Sequence, residues 1–159
     1  MEITVRRAGA ADADELVRLR IVMLEAMEDG PVTPGEWSRR TAESLRRRLP
    51  SPDATIAGFV VDRPDGSGLA ACAVGTIDER LGSPGNPGGL TGYVFNVATD
   101  EAFRRRGLST ACLTALLEWF TTGGVSLARL FATADGLPMY ERLGFTREDT
   151  PALRLRLPR

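Results

Sequence analysis

The segment R-R-R-G-L-S-T at residues 104–110 constrains the fold of this chain more than any other stretch. Residues 93–99, which read Y-V-F-N-V-A-T, precede it as an apolar run, and residues 111–120 follow with apolar side chains at helical spacing. An apolar run, a short turn and a helical period together predict a strand, a turn and a helix. The remaining elements have to be arranged around this junction.

The start of a helix that follows a strand is a site for an anion. The first backbone N–H groups of a helix have no partners within it, and the helix dipole adds partial positive charge there. A diphosphate fits such an end, and Gly107 lets the backbone approach a ligand because it has no Cβ. We therefore predict that an anionic cofactor is bound by Arg104, Arg105, Arg106, Gly107, Leu108, Ser109 and Thr110. A plain glycine turn beside exposed arginines is the alternative at this point.

Two other phosphate-binding motifs are absent from the sequence. All 20 basic residues are arginine, and the lack of lysine excludes the P-loop motif G-x-x-x-x-G-K-[ST]. The dinucleotide-binding motif G-x-G-x-x-G does not occur either.

Composition and charge exclude several further classes of protein. The 159 residues fit one domain, residues 1–159, and the net charge of −1 does not favour a nucleic-acid partner. The chain has no histidine, which removes the usual general base and the commonest metal ligand, so we expect no metal. Cys72 and Cys112 lie in apolar runs and are predicted to be small core residues. No apolar run approaches the roughly 18 residues of a membrane span, and the start M-E-I-T-V-R-R predicts a strand rather than a signal peptide. We expect a cytoplasmic protein that uses neither a membrane nor a nucleic acid.

The order of elements predicts an α+β fold. Strands are predicted at residues 3–7, 54–62, 69–78, 93–99, 126–133, 145–147 and 152–157. Helices are predicted to begin near Asp12 and Pro34 and to span residues 108–122 and 136–143. We therefore expect a central mixed, mostly antiparallel sheet of six to seven strands flanked by about four helices.

Two sequence motifs, which occur in the same order as in a known family, resemble the motifs of that family. Residues 96–110 read N-V-A-T-D-E-A-F-R-R-R-G-L-S-T, and residues 136–145 read G-L-P-M-Y-E-R-L-G-F. The first is similar to the acetyl-CoA motif R-x-x-G-x-G/A of the GNAT superfamily of N-acetyltransferases, and the second to the motif P-L-Y-E-x-L-G-F of the same family. The long helix between them and the strand order also match, so the resemblance covers nearly the whole chain. It departs from the pattern at Ser109, which replaces a second glycine or alanine, and at Glu101, where many members have proline.

The resemblance implies acetyl-CoA as the cosubstrate. It implies that the fourth strand splays from the fifth and that the pantetheine arm pairs with backbone groups of Val97, Ala98 and Thr99. Thr133 lies where members often carry a polar side chain that contacts the CoA arm. Tyr140 matches the family tyrosine that faces the CoA sulfur, and a phenol with a pKa of about 10 can protonate a departing thiolate. From the residues alone, a core tyrosine on a short amphipathic helix is the favoured interpretation of Tyr140, and the resemblance is what favours the catalytic one.

The sequence identifies a general base less clearly than it identifies the general acid. No carboxylate occurs in residues 93–99. Glu25 is one candidate, with Asp78 and Glu79 as alternatives, although each could be a surface charge and a water relay needs no dedicated residue. Asn96 is a polar residue in an apolar strand, so it either bonds the incoming amine or satisfies a strand bulge.

The motifs and Tyr140 together predict an N-acetyltransferase. It would move an acetyl group from acetyl-CoA to a primary amine of a small molecule or peptide, by direct transfer in a ternary complex. The missing base leaves open a second hypothesis, a catalytically weak CoA-binding or regulatory module on the same fold. A nucleic-acid binder using the arginines of residues 46–48 and 104–106 is disfavoured by the near-neutral charge and the few interleaved aromatic residues. Members of the family often dimerise, so a homodimer is one assembly that the resemblance allows.

Overall fold

A computed structural model describes residues 2–159, and this part of the chain contains five β-strands and four α-helices. The strands are β1 (Arg6–Arg7), β2 (Ile56–Asp62), β3 (Leu69–Glu79), β4 (Leu90–Thr99) and β5 (Ala128–Arg129). The helices are α1 (Ala13–Glu28), α2 (Glu36–Arg48), α3 (Leu108–Thr122) and α4 (Leu137–Arg142). None of the helices in this described part is long and apolar enough to cross a membrane.

The five strands form one mixed sheet in the order β1-β2-β3-β4-β5. Neighbouring strands are antiparallel except for β4 and β5, which are parallel. The α+β architecture, with a mixed and mostly antiparallel sheet and four helices, is confirmed. The predicted count of six to seven strands is wrong, because the sheet has five strands.

The missing strands are those predicted near the end of the chain. Residues 145–147 and 152–157 form no strand, and the predicted strand at residues 126–133 is reduced to β5. Leu153, Leu155 and Leu157 are exposed. Alternation of apolar and polar residues predicts which side chains would share a face if the segment were extended. A strand also needs a neighbouring backbone for its hydrogen bonds, and the alternation does not predict one.

The sheet separates two apolar cores. Helices α1 and α2 cover one face, and helix α3 covers the other. Cys72 is buried in the first core and Cys112 in the second, both as free thiols, as predicted. Burial raises the pKa of both thiols, that of Cys112 to about 12. Both cysteines are therefore packing residues and not nucleophiles at neutral pH.

Helix α3 lies close to the sheet because two glycines face it. A Cβ at Gly92 would lie 2.7 Å from Phe120 Cδ2, and one at Gly75 would lie 2.8 Å from Phe120 Cζ. Phe120 is itself buried, so its ring has little room to move. The close approach packs the C-terminal end of α3 against the sheet near the start of β4.

An arginine–carboxylate network holds the end of β4 in place. Asp100, the residue after β4, accepts hydrogen bonds from Arg18 of α1 at 3.2 Å and from Arg63, which follows β2. Glu15 also accepts from Arg18, at 2.6 Å, and from the backbone N–H of Leu69 at 2.8 Å. Burial acts to raise the pKa of Asp100, but the bonds from the two guanidinium groups outweigh it and lower the pKa below its ordinary value. The ionised network therefore joins α1, the β2–β3 turn and the end of β4.

Replacing Gly92 with alanine should lower the free energy of unfolding by about 1–3 kcal/mol, because the new methyl group overpacks the buried Phe120 ring. Chemical denaturation of the purified variant measures this. Gly85→Ala is the matched control, since nothing lies within 4 Å of a Cβ at that position. Equal denaturation midpoints for the two variants would contradict the close packing of α3 on the sheet.

Replacing Asp100 with asparagine should lower the free energy of unfolding by about 1–3 kcal/mol at neutral pH, because charge-assisted hydrogen bonds from two arginines are lost. The folded-state pKa is depressed, so the carboxylate stabilises the fold above its unfolded pKa of about 3.9 and loses this effect as the pH falls through the folded value. Denaturant titrations at a series of pH values should show the gap between wild type and variant shrinking below about pH 4.

The control for this experiment is Asp53→Asn, at an exposed position that forms no ion pair within residues 2–159. A gap between wild type and Asp100→Asn that stays constant from neutral to acidic pH would show that the lost stability does not depend on the ionised carboxylate.

Candidate functional site

Strands β4 and β5 separate after two paired residues. Gly92 pairs with Ala128 and Tyr93 with Arg129, and the Gly92 N–H donates to the Leu127 carbonyl at 2.9 Å. Beyond this point β4 continues to Thr99 with β3 as its neighbour. One backbone edge of β4 is therefore unpaired and offers hydrogen bonds to an extended ligand.

A cleft of about 380 Å³ lies along this unpaired edge. The end of β4, the start of α3, the last turns of α1, and α4 with the loop before it form its walls. The residues predicted from the sequence that line the cleft are Val97, Ala98, Thr99, Arg104, Arg105, Gly107, Leu108, Ser109, Thr110, Thr133 and Tyr140. Within residues 2–159, no group of three or more His, Cys, Asp or Glu side chains could hold a metal ion.

Three predicted residues lie outside the lining of this cleft. The guanidinium of Arg106 lies 5.4 Å from the ring centroid of Phe103, beside the turn. Glu25 is exposed on α1, and its position on the helix turns it away from the face that carries Val22 and Ala26 into the cleft. Asn96 is buried on the face of the sheet that α1 covers, where its amide donates to the Leu16 carbonyl at 3.5 Å. Neither Glu25 nor Asn96 is therefore placed in this cleft.

The sequence did not identify the wall that α1 contributes. Val22, Met23, Ala26 and Met27 line the cleft, and Met27 is 48% exposed. These residues continue the apolar stripe of α1, which predicts burial but does not state whether a core or a ligand covers it. Phe131 also lines the cleft, and its exposure of 65% could not be predicted from the sequence.

The turn before α3 has the backbone geometry of an anion site. Gly107 is the N-cap of α3 with φ 75°, a left-handed conformation, and nothing lies within 4 Å of a Cβ at this position. Arg105 also has a positive φ, 64°. The hydroxyl groups of Thr99 and Ser109 share a hydrogen bond, which joins the end of β4 to the first turn of α3. The first turn of α3, whose N–H groups have no partners within the helix, therefore lies at the cleft beside exposed arginines.

Tyr140 lies in the wall opposite β4. It is 9% exposed, and its ring packs edge-to-face with Phe145 at a centroid distance of 5.8 Å. Burial raises the pKa of its phenol, so the group keeps its proton at neutral pH. Gly136 leaves room for the ring, since a Cβ there would lie 3.1 Å from Tyr140 Cε2. The Thr133 hydroxyl accepts the Gly136 N–H at 3.2 Å and so supports the start of α4.

Solved structures similar to this chain cover nearly its whole length. A protein from Clostridium acetobutylicum that is described as a predicted acetyltransferase and was crystallised with acetyl-CoA has a TM-score of 0.81 and 21% identity, with 98% of this chain and 96% of that chain covered. A GCN5-related N-acetyltransferase from Ralstonia eutropha JMP134 has a TM-score of 0.77 and 23% identity, with 97% and 99% covered. A glucosamine-6-phosphate N-acetyltransferase from Arabidopsis thaliana has a TM-score of 0.75 and 16% identity, with 98% and 99% covered. At these identities the likeness shows a common fold.

Sequence comparison assigns the family. A comparison with curated proteins gives no match. The model of the Acetyltransferase (GNAT) family matches residues 22–145, which include β4, α3, α4 and all the cleft residues predicted from the sequence. With this match over most of its length, the chain belongs to the GNAT family of acetyltransferases and is an acyltransferase enzyme.

Proposed function

We propose that this acetyltransferase moves the acetyl group of acetyl-CoA to a primary amine of a small molecule or peptide, by direct transfer in a ternary complex. The observation that carries the proposal is the single cleft in which an unpaired strand edge, a helix N-terminus and a buried tyrosine meet. Each of the three matches one need of the reaction, namely a groove for the arm of the thioester, a site for its phosphates and an acid for its thiolate.

Acetyl-CoA fits the cleft in one direction. Its pantetheine arm carries amide groups that can pair with the free edge of β4 at Val97, Ala98 and Thr99. Its diphosphate would then reach the first turn of α3, where the N–H groups of Leu108, Ser109 and Thr110 have no partners within the helix. Arg104 and Arg105 line the same end and add positive charge, and Thr133 lies across the cleft near Tyr140.

The proposed reaction forms a C–N bond and breaks a C–S bond. A neutral amine attacks the thioester carbonyl carbon, and a backbone N–H of β4 stabilises the charge that develops on the carbonyl oxygen. When the tetrahedral intermediate collapses, the electrons of the C–S bond go to sulfur. Tyr140 gives its phenolic proton to that thiolate and regains one from solvent, while the amide nitrogen loses its extra proton to water.

The arrangement supports water, rather than a side chain in contact with the amine, as the base. Among the residues that line the cleft, the single carboxylate is Asp135, which is exposed. Glu25 would reach the amine only through water, because its side chain points away from the cleft. Orientation of the two substrates next to each other can supply much of the rate without a dedicated base.

Two structural neighbours support the choice of substrates at the level of the fold. The Clostridium acetobutylicum protein was crystallised with acetyl-CoA. The Arabidopsis thaliana protein is named for glucosamine 6-phosphate, which carries a primary amine. An amine acceptor is therefore consistent with what this fold accommodates in other proteins.

A thiol-release assay with acetyl-CoA and pooled amines tests the proposal directly, and Tyr140→Phe should lower kcat by about 100-fold or more, as expected when a general acid is removed. The Kd for acetyl-CoA should change little, because the ring remains. Tyr93→Phe removes the other phenol of the chain, which lies outside the cleft lining, and serves as the matched control. Unchanged turnover in Tyr140→Phe would reject this tyrosine as the acid. Acetyl-CoA binding without thiol release from any amine would favour the regulatory module.

Replacing Arg105 with glutamine should raise the Kd for acetyl-CoA about two- to fivefold, the effect of one exposed charge near the phosphates. Calorimetric titration measures the Kd, and the effect should fade at high salt. Glutamine and arginine have similar backbone strain at a left-handed φ. The substitution therefore changes the charge without changing the strain at this position. Arg39→Gln, exposed on α2 and outside the cleft lining, is the control, and an equal effect there would refute the local contact.

A further inference from the structure

A second cavity lies on the other side of β4. It has a volume of about 320 Å³ and occupies the space between α1, α2 and the face of the sheet that these helices cover. Its floor is apolar, with Leu16, Ile56 and Val74 among the lining side chains. The polar side chains that line it are Arg20, Arg40, Arg48, Thr41, Ser44 and Asn96.

The lining of this cavity carries three positive charges and no negative one. No aspartate or glutamate is among its lining residues. Arg40 pairs with Glu36 at 3.6 Å, but both side chains are largely exposed, so the pair is weak. Within residues 2–159, neither Arg20 nor Arg48 takes part in an ion pair. The nearby Arg46, by contrast, points away to Asp14 at 2.6 Å.

Arg20 is a guanidinium group of this lining without a carboxylate partner within residues 2–159. It is partly buried, and burial lowers its pKa. Its contacts are neutral, with the Phe95 carbonyl at 3.4 Å from Nη1 and the Phe95 ring centroid at 6.0 Å from Cζ. A cation that is removed from water and has no counter-ion is unfavourable, and an anion bound beside it would relieve that penalty.

Asn96 gives a second and independent indication of a ligand. It is 3% exposed, and its Oδ1 has no hydrogen-bond donor within residues 2–159. Its Nδ2 makes only long contacts, 3.5 Å to the Leu16 carbonyl and 3.6 Å to Cys72 Sγ. A buried acceptor without a donor is rare in folded proteins. The cavity therefore offers an N–H acceptor as well as cationic groups.

The cavity and the acetyl-CoA cleft are adjacent along two elements. On α1, Arg20 lines the cavity and Met23, one turn later, lines the cleft. On β4, Phe95 and Asn96 line the cavity and Val97 lines the cleft. A molecule in the cavity thus lies beside the segment of β4 at which the thioester is proposed to bind.

We propose that this cavity binds the acceptor, and that the acceptor is an amine that also carries an anion, either a carboxylate or a phosphate. The anion pairs with Arg20 and Arg48, and an N–H of the amine end donates to Asn96 Oδ1. This inference rests on the proposed function, because it names the class of amine that the acetyl group reaches. It excludes amines without an anionic group as the preferred acceptors.

Calorimetric titration of the CoA-saturated protein with matched amines tests the inference without turnover. L-Leucine is compared with L-leucinamide, and O-phosphoethanolamine with ethanolamine, so that each pair differs in the anion. At least one anionic member should bind about tenfold more tightly than its neutral partner, the value of one hydrogen-bonded charge, and the pair that shows this preference identifies carboxylate or phosphate. Equal affinities within both pairs would overturn the inference.

Substitutions assign the preference to the cavity. Arg20→Gln and Arg48→Gln should each reduce the preference, and Arg20→Lys should restore part of it. Arg47→Gln is the matched control, since Arg47 is exposed on the same helix as Arg48 and does not line the cavity. Denaturation midpoints of all variants show whether each one is folded. A preference that persists unchanged in both glutamine variants would also overturn the inference.

Kinetics separate the failure of this inference from the failure of the proposed function. With the preferred anionic amine, Arg20→Gln should raise the KM of the amine about tenfold, with little change in kcat or in the KM of acetyl-CoA. If neutral amines are turned over with kinetics that Arg20→Gln does not change, the proposed acetyl transfer is supported and the proposal of an anionic acceptor is wrong. If the titrations show a preference for anionic amines but no thiol is released, the anion site is supported and the proposed transferase function is wrong.

Discussion

The unpaired edge of β4 is the constraint on which the rest of the site depends. β4 pairs with β3 along most of its length but with β5 at only two residues, so one edge of its later part is unpaired, and Val97 to Thr99 line a cleft. Strand backbone inside a fold requires hydrogen-bond partners, and an extended arm that contains amides can supply them. Helix α3 begins where this edge ends, which places its positive N-terminus at the end of the same groove.

A bulge in β4 divides the two cavities. Val74 pairs with Asn96 and Gly75 with Val94, so Phe95 has no partner of its own on β3. As a result, two consecutive side chains, Phe95 and Asn96, lie on the side covered by α1, while Val97 returns to the α3 side. Bulges often redirect side chains beside functional sites, and this one lies between the proposed positions of the acceptor and the thioester.

How far the sequence predicted each element depended on how local its causes are. Helix α3 occupies residues 108–122 as predicted, because a long apolar period lies between Gly107 and Gly123. The tail at residues 152–157 alternates as strictly as any strand, yet it forms none, since strand formation depends on a neighbour that the pattern does not encode. The two interpretations of Asn96 were left open by the sequence, and the register of β3 and β4 places it at the bulge.

By itself, the sequence determined the strand–turn–helix junction with its glycine, the tyrosine motif on α4 and the membership in an acetyl-CoA family, because short-range backbone chemistry and motif spacing are written in consecutive residues. Only the tertiary structure decided that Glu25 points away from the cleft, that α1 supplies one of its walls, and that Arg20 and Arg48 line one cavity with Asn96. These groups lie up to 76 positions apart, from Arg20 to Asn96, and belong to three elements. Periodicity states which face of an element is apolar, but the packing of helices on the sheet decides what that face meets.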